Sequence, residues 1–494
     1  MKRTLILLLC ALCSVLGAAE RPNIVFLLAD DQAFDTLGCY GNEDVTTPNI
    51  DGLAADGVAF DNHYNTSAIC MASRANIFTG LYEYRHGCNF GLGDLPEEHW
   101  AKSYPILLRE AGYVTAMAGK IGIAVEGVGL PEEDFDKWGA GPGQTNYATA
   151  KNKSIAHYAD EFPHSTRAYG AFGRDFIQES AASGKPFCLS ISFKAPHQPT
   201  TPDPAFDDVY EGKTFRKPAN YGREHGGHFS EQSRQGRQYE RFHSWNYSDK
   251  FDEVMATYHQ QIYGIDVAVG MIREALEKAG VADNTVVIYT SDNGFFCGAH
   301  GYGSKVLPYE ESSRVPLIIH DPRLPVSERG KRTSALTGNI DLYSTILECG
   351  GLSAPTGVDG VSLVSLLSHA GASVRDSLQL MNFWGPVAVQ SFGVINADWK
   401  YIYWYYSGEG MTPAEEMYDM QTDRLELVNA ALNSDAKKPL KKMRRLYDSA
   451  VASIADLAQR PVYAKYATIF DRTTAWPEKQ ALLEAPQKEK KSKK

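Results

Sequence analysis

Ser67-Ala68-Ile69-Cys70-Met71-Ala72-Ser73-Arg74-Ala75-Asn76-Ile77-Phe78-Thr79-Gly80 is the stretch from which the rest of the chain can be read. A cysteine stands one turn before an arginine, and a short apolar helical pattern runs on to a glycine stop. Cys70 is therefore expected near a helix N-terminus. Amide dipoles there favour an anion, and Arg74 adds a positive charge close by. Alone, the five residues Cys70 to Arg74 favour the plainer reading of a free or disulfide-bonded cysteine in a loop, and only the longer match displaces it.

Upstream, Pro22 to Leu28 is a continuous apolar, β-branched run, the pattern of a buried parallel strand, and it delivers Asp30 and Asp31 at its C-terminal end. Ligands of open α/β sheets bind at that edge. Downstream, Thr285 to Ser291 repeats the pattern and ends in Asp292-Asn293-Gly294. Each pair could be a strand-end cap. Together they are three carboxylates and an amide without a His or Cys partner, a hard oxygen set that suits calcium, magnesium less well, and not zinc.

Between these ends helical and extended patterns alternate. Ile50 to Gly57 and Tyr104 to Ala111 read as helices, Val114 to Met117 and Phe187 to Phe193 as strands, and Asp252 to Ala279 as a long helix. Residues 200 to 250 are polar and irregular, with Arg216, Arg223, His225, His228, Arg237, Arg241 and His243 beside Trp245 and Tyr247. Such a run is either solvated surface or a substrate-facing insertion. From about residue 370 the texture changes to aromatic-polar alternation around Asn396-Ala397-Asp398, then a helix over Pro439 to Leu457, a smaller α+β unit.

Met1-Lys2-Arg3, the apolar run Thr4 to Leu16 and Gly17-Ala18-Ala19 have the three parts of a secretory signal peptide, and no later run is long and apolar enough to span a bilayer. The mature chain is expected to be secreted or periplasmic. Cys39, Cys70, Cys88, Cys188, Cys297 and Cys349 are too sparse for a disulfide framework. The formal charge of -11, or -13 without Lys2 and Arg3, speaks against nucleic acid as the natural partner. An anionic substrate has to be drawn in by a local basic pocket.

Cys70-x-Ala72-Ser73-Arg74 leading into Thr79-Gly80 resembles the signature of the sulfatases, members of the alkaline-phosphatase superfamily, in which this cysteine is oxidised during synthesis to formylglycine. Ala72 stands where proline is commoner. Asp30-Asp31 and Asp292-Asn293 likewise resemble the family's metal site, to which the modified Cys70 contributes an oxygen. Gly119-Lys120 matches a pair whose lysine contacts formylglycine and sulfate. The family commonly continues Trp-His, but Ile121-Gly122 follows here, so the histidine that assists proton removal is missing. Pro196-His197-Gln198-Pro199 resembles the segment of the leaving-group histidine. Gly298-Ala299-His300-Gly301 and the Tyr309 to Pro316 run are similar to a second family block. In it Lys305 matches the sulfate-binding lysine, His300 would line the pocket, and Glu310 with Arg314 would form a supporting pair.

The resemblance implies an α/β, alkaline-phosphatase-like fold: a mixed, mostly parallel sheet flanked by helices, with a smaller C-terminal α+β subdomain. The expected division is a signal peptide at 1–19, a catalytic domain at 20–369, the subdomain at 370–486 and a basic tail at 487–494. It also implies hydrolysis of a sulfate monoester, on a sulfated carbohydrate or other small ester, after maturation by a formylglycine-generating enzyme. Cys70, Arg74, Lys120, His197 and Lys305 would be catalytic, with Lys120, His300 and Lys305 on substrate. Asp30, Asp31, Cys70, Asp292 and Asn293 would hold calcium. A phosphonate or phosphate ester hydrolase and a non-catalytic polysaccharide-binding protein remain the alternatives.

Overall fold

The computed structural model describes residues 21–485; the expected signal peptide and basic tail lie outside them. Eight strands form one sheet: β1 (Asn23–Ala29), β2 (Val58–Tyr64), β3 (Val114–Lys120), β4 (Lys137–Gly141), β5 (Phe187–Ser192), β6 (Thr285–Ser291), β7 (Leu317–His320) and β8 (Lys331–Gly338). Their spatial order is β4-β3-β5-β1-β6-β7-β2-β8. Only β7 runs antiparallel to its neighbours, so the sheet is mixed and mostly parallel, as the α/β reading requires.

Every residue of β1 is buried, because helices cover both faces and a period-2 backbone sends alternate side chains to each. Val25 and Leu27 belong to a core with Phe172 and Phe176 of helix Ser165–Ser183 and Ile262, Ile265 and Val269 of helix Phe251–Lys278. Ile24, Phe26 and Leu28 belong to the opposite core with Phe78, Leu108 and Ile346. Truncating a side chain such as Leu27 to alanine would cost about 2–5 kcal/mol.

Helix Ser165–Ser183 has no counterpart in the sequence reading, and its glycines explain why. A Cβ on Gly170 would meet the Met271 sulfur at 3.0 Å, and one on Gly173 would run into Ile272. The two helices cross too closely for side chains there, so packing overrides the low helix propensity of glycine. The stretch 200–250, read as irregular, consists of 3-10 turns and one regular helix, Arg237–Ser244.

A second, antiparallel sheet is formed by β9 (Leu378–Asn382), β10 (Ser391–Ile395), β11 (Trp399–Trp404) and β12 (Ala414–Asp419), in the order β12-β11-β10-β9. Leu440, Met443, Tyr447, Val451 and Ile454 make one buried stripe of helix Lys437–Leu457, the i, i+3, i+4 spacing of an amphipathic helix. That stripe shares a core with Phe392, Tyr401 and Tyr403 of this sheet, and with Tyr64, Tyr82 and Tyr309 from the larger unit. The two sheets are thus joined by a continuous apolar core.

Candidate active site

Because β3, β5, β1 and β6 are parallel neighbours, their C-terminal ends lie at one edge of the sheet. Ala29 of β1 is in register with Ser291 of β6, which sets Asp30 beside Asp292. The next residue, Asp31, has a left-handed backbone (φ +71°). Its amide donates to Asp292 Oδ1 at 3.2 Å and its carbonyl accepts from the Tyr258 hydroxyl at 2.6 Å. An aspartate held there carries strain that its surroundings must support.

Cys70 is the first residue of helix Cys70–Thr79, all of whose residues are buried, and Gly80 ends it with φ +69°. The Cys70 sulfur lies 3.0 Å from Lys305 Nζ, 3.2 Å from Asp30 Oδ1 and 3.7 Å from Asn293 Oδ1. One turn later, Arg74 Nε donates to Asp292 Oδ2 at 2.8 Å, while its Nη1 bonds the Lys120 carbonyl and the Ser192 hydroxyl. Lys120 Nζ reaches Asp30 Oδ2 at 2.5 Å, and Lys305 pairs with Asp31 Oδ1. Three carboxylates and three cations, all buried, are therefore matched pair by pair.

Burial and the neighbouring carboxylates Asp292 and Asp30 push the Cys70 thiol up to about 12. Burial opposes the charge of Asp30, yet Lys120 and then His197 and Arg74 hold its carboxyl well below the usual range. Asp292 goes the other way, to about 6, through burial and then repulsion from Asp30. Two adjacent strand-end carboxylates with opposite shifts are under mutual repulsion that a cation relieves. Asp30, Asp31, Asp292 and Asn293 supply oxygen donors only, with one Asp31 oxygen also accepting from Asn293 Nδ2 at 2.7 Å. This set fits a hard divalent ion.

His197 follows β5 and is the one histidine on the cavity wall among the described residues, Nε2 standing 3.8 Å from Asp31 Oδ2. Its Nδ1 has no hydrogen-bond partner. Burial lowers its proton affinity, against the pull of Asp31 and Asp30. Lys305 sits between two residues of left-handed backbone, Ser304 (φ +68°) and Val306 (φ +97°); the second is a costly conformation for a β-branched residue. Cys70, Asp31, His197 and Lys305 open onto one cavity of about 730 Å³.

The expectation that His300 lines the pocket is corrected. His300 is fully buried, its Nδ1 donates to the His225 carbonyl at 3.0 Å, and its Nε2 lies 3.5 Å from Glu311. It braces the loop ahead of Lys305 and does not line the cavity. Glu310 does face Arg314, at 3.8 Å, but its shorter pair is with buried Lys400 of β11, at 2.6 Å. The sequence reading missed Ser192, Gln144 and Trp384. Ser192 is the end residue of β5, and only the sheet order brings it to Arg74. Trp384 arrives from the C-terminal unit, with no local signal.

The profile of the family described as Sulfatase matches residues 22–352, and that of "N-sulphoglucosamine sulphohydrolase, C-terminal" matches residues 298–451. The chain is 28% identical over 499 residues to N-acetylglucosamine-6-O-sulfatase of Bacteroides thetaiotaomicron, covering 87% of this chain and 86% of that one. It is 26% identical over 461 residues to an arylsulfatase of Clostridium perfringens, covering 86% and 93%. A solved structure of a protein in complex with its substrate D-glucosamine-2-N,6-O-disulfate superposes with a TM-score of 0.74 at 26% identity, covering 88% of this chain and 99% of that one. The phosphonate monoester hydrolase of Agrobacterium radiobacter shares the fold, with a TM-score of 0.71 at 22% identity and coverage of 88% and 96%. With the family profile spanning most of the chain and the strand-end carboxylates, Cys70 and Lys305 converging at one sheet edge, the protein belongs to the sulfatase family of the alkaline-phosphatase superfamily and is a sulfuric ester hydrolase.

Proposed function

We propose that this chain is an exported sulfatase that hydrolyses a sulfate monoester on a sulfated carbohydrate, using formylglycine made from Cys70 and a bound calcium ion. The observation that carries the reading is the position of the Cys70 sulfur, 3.0 Å from Lys305 Nζ and 3.2 Å from Asp30 Oδ1 at a cavity wall. The named activities of the relatives support a sulfated sugar as substrate. Among the described residues no helix is long and apolar enough to cross a membrane, and residues 1–19 are read as the export signal.

Asp30, Asp31, Asp292 and Asn293 would hold the calcium, with residue 70 contributing an oxygen once modified by a formylglycine-generating enzyme. When bound, the ion and the modified residue supply a nucleophilic oxygen and charge stabilisation. The chain's own part follows from its pairs. Lys120 and Lys305, released from Asp30 and Asp31 where those carboxylates hold a cation, would offset negative charge on sulfate oxygens. Arg74 stays anchored by Asp292 and Ser192, fixing the first turn of its helix and hence residue 70. His197, on the cavity wall with Nδ1 unpartnered, protonates the departing sugar oxygen.

The test is the mass of the Cys70 peptide together with sulfate release from sulfated sugars and, in parallel, phosphonate esters. Aldehyde at residue 70 with sulfate release, both lost in Cys70→Ala, is the expected result. Turnover by protein carrying only unmodified cysteine would overturn it, and preference for phosphonate esters would move the enzyme to the related hydrolase class.

A further inference from the structure

Arg237 and Arg241 lie four residues apart on helix Arg237–Ser244 and so share a face. Both line the cavity that holds Cys70. The Arg241 guanidinium lies over the ring of Trp245, 3.8 Å from its centroid, and that of Arg237 over Trp384, at 4.5 Å. Arg241 Nη1 also donates to Ser304 Oγ at 3.1 Å, the residue just before Lys305. Neither arginine pairs with a carboxylate among the described residues. Burial disfavours the cation at both positions, and at Arg241 the like charge of Arg237 is the next unfavourable influence.

Among the described residues Asp31 is the one carboxylate on the cavity wall, and Lys305 already takes it. The cavity is therefore strongly positive in a chain of formal charge -11. Two like charges one helical turn apart, each over an indole and without a carboxylate partner among the described residues, are costly unless an anion joins them. A guanidinium held over an aromatic face keeps N–H groups for contact with sulfate or carboxylate oxygens, including at Arg241, where Nη1 alone donates to Ser304. With Lys120 and Lys305 assigned to the reacting sulfate in the reading above, the two arginines are left for a further anion.

We propose that Arg237 and Arg241, on their Trp384 and Trp245 platforms, form a second anion subsite, and that the substrate is a sulfated sugar carrying a further sulfate or carboxylate. This rests on the sulfatase reading above for the reacting group only.

The experiment is calorimetric binding of three sugars to the Cys70→Ala protein: one monosulfated, one with an added sulfate, and one with an added uronate carboxylate. Kinetics of the formylglycine enzyme on the same three run alongside. At least one doubly anionic sugar should bind roughly tenfold or more tightly than the monosulfate, and Arg237→Gln or Arg241→Gln should remove most of that advantage. Whichever arm wins identifies the second anion. Arg241→Lys, which keeps charge but not the fork, should restore less than half of the preference in free energy. Equal binding of all three sugars, or a preference unchanged in both folded glutamine variants, overturns the subsite. Arginine-dependent binding without sulfate release by the wild-type enzyme would instead overturn the sulfatase reading and leave the subsite standing.

Discussion

Arg74 occupies the space that a side chain on Gly122 would need. A Cβ on Gly122 would run into Arg74 Cδ and stand 2.9 Å from Nε, and the glycine backbone is left-handed, with φ +73°. A side chain at this position, where the family resemblance calls for a histidine, can therefore be seated only if the arginine that anchors the helix of residue 70 shifts.

Gly122→Ala and Gly122→His should both displace Arg74 from Asp292 and from Ser192. Loss of a positioned charge at such a site costs about 10²–10³ in kcat, and the left-handed backbone adds about 1–2 kcal/mol of instability. Sulfate release and thermal unfolding of both variants check this. Histidine improving turnover would show that Arg74 can move aside.

His300 is held by His225 and Glu311 away from the cavity and so does not take over at Cys70. His300→Ala should leave kcat/KM within about threefold while lowering stability by about 1–3 kcal/mol, because Glu311 and Asn220 lose a buried partner. With His197 serving the leaving oxygen, alcohol release should outrun sulfate release and give a pre-steady-state burst of alcohol. A linear progress curve would mean that a base has been overlooked.

Calcium should stabilise the chelator-stripped protein. At a hundred times its dissociation constant a ligand specific for the folded state adds about 2.7 kcal/mol, and the unfolding midpoint should rise accordingly. Asp292→Ala and Asp30→Ala should abolish that rise. A midpoint indifferent to calcium in the wild type would reject the carboxylates as its ligands.

Glu83 offers a pH test away from the site. It is buried between Asn89 and the Tyr463 hydroxyl, 3.0 Å away, and burial raises its carboxyl from 4.5 to about 7 against the help of Asn89. The folded protein thus binds this proton more tightly than the unfolded chain, so the contribution is present below pH 4.5 and is lost as pH rises to about 7. At about 1.4 kcal/mol per pH unit the loss is on the order of 3 kcal/mol. Glu83→Gln should be less stable than wild type by a margin that shrinks, or reverses, between pH 4.5 and 8. Denaturant unfolding at several pH values measures it, and a pH-independent difference would refute the assignment.

The apolar runs ending in Asp30-Asp31 and Asp292-Asn293 made the buried parallel strands and their acidic ends legible, because burial on both faces imposes an unbroken apolar pattern. Cys70 at a helix start, stopped at Gly80, was legible for the same kind of local reason. Spacing could not say that Ser192 would reach Arg74, that Trp384 would come from the C-terminal unit to the cavity wall beside Arg237, or that His300 would turn inward to the His225 carbonyl. Those placements depend on strand order and on contacts between residues 75 to 150 positions apart, which no window of sequence contains. What Gly122 means was likewise decided by tertiary structure: the chain shows only a missing histidine, whereas the fold shows an arginine filling its place. Local pattern determines which elements form and what chemistry their ends carry. Packing alone decides which of those ends meet, because it is set by volume and charge shared among distant parts of the chain.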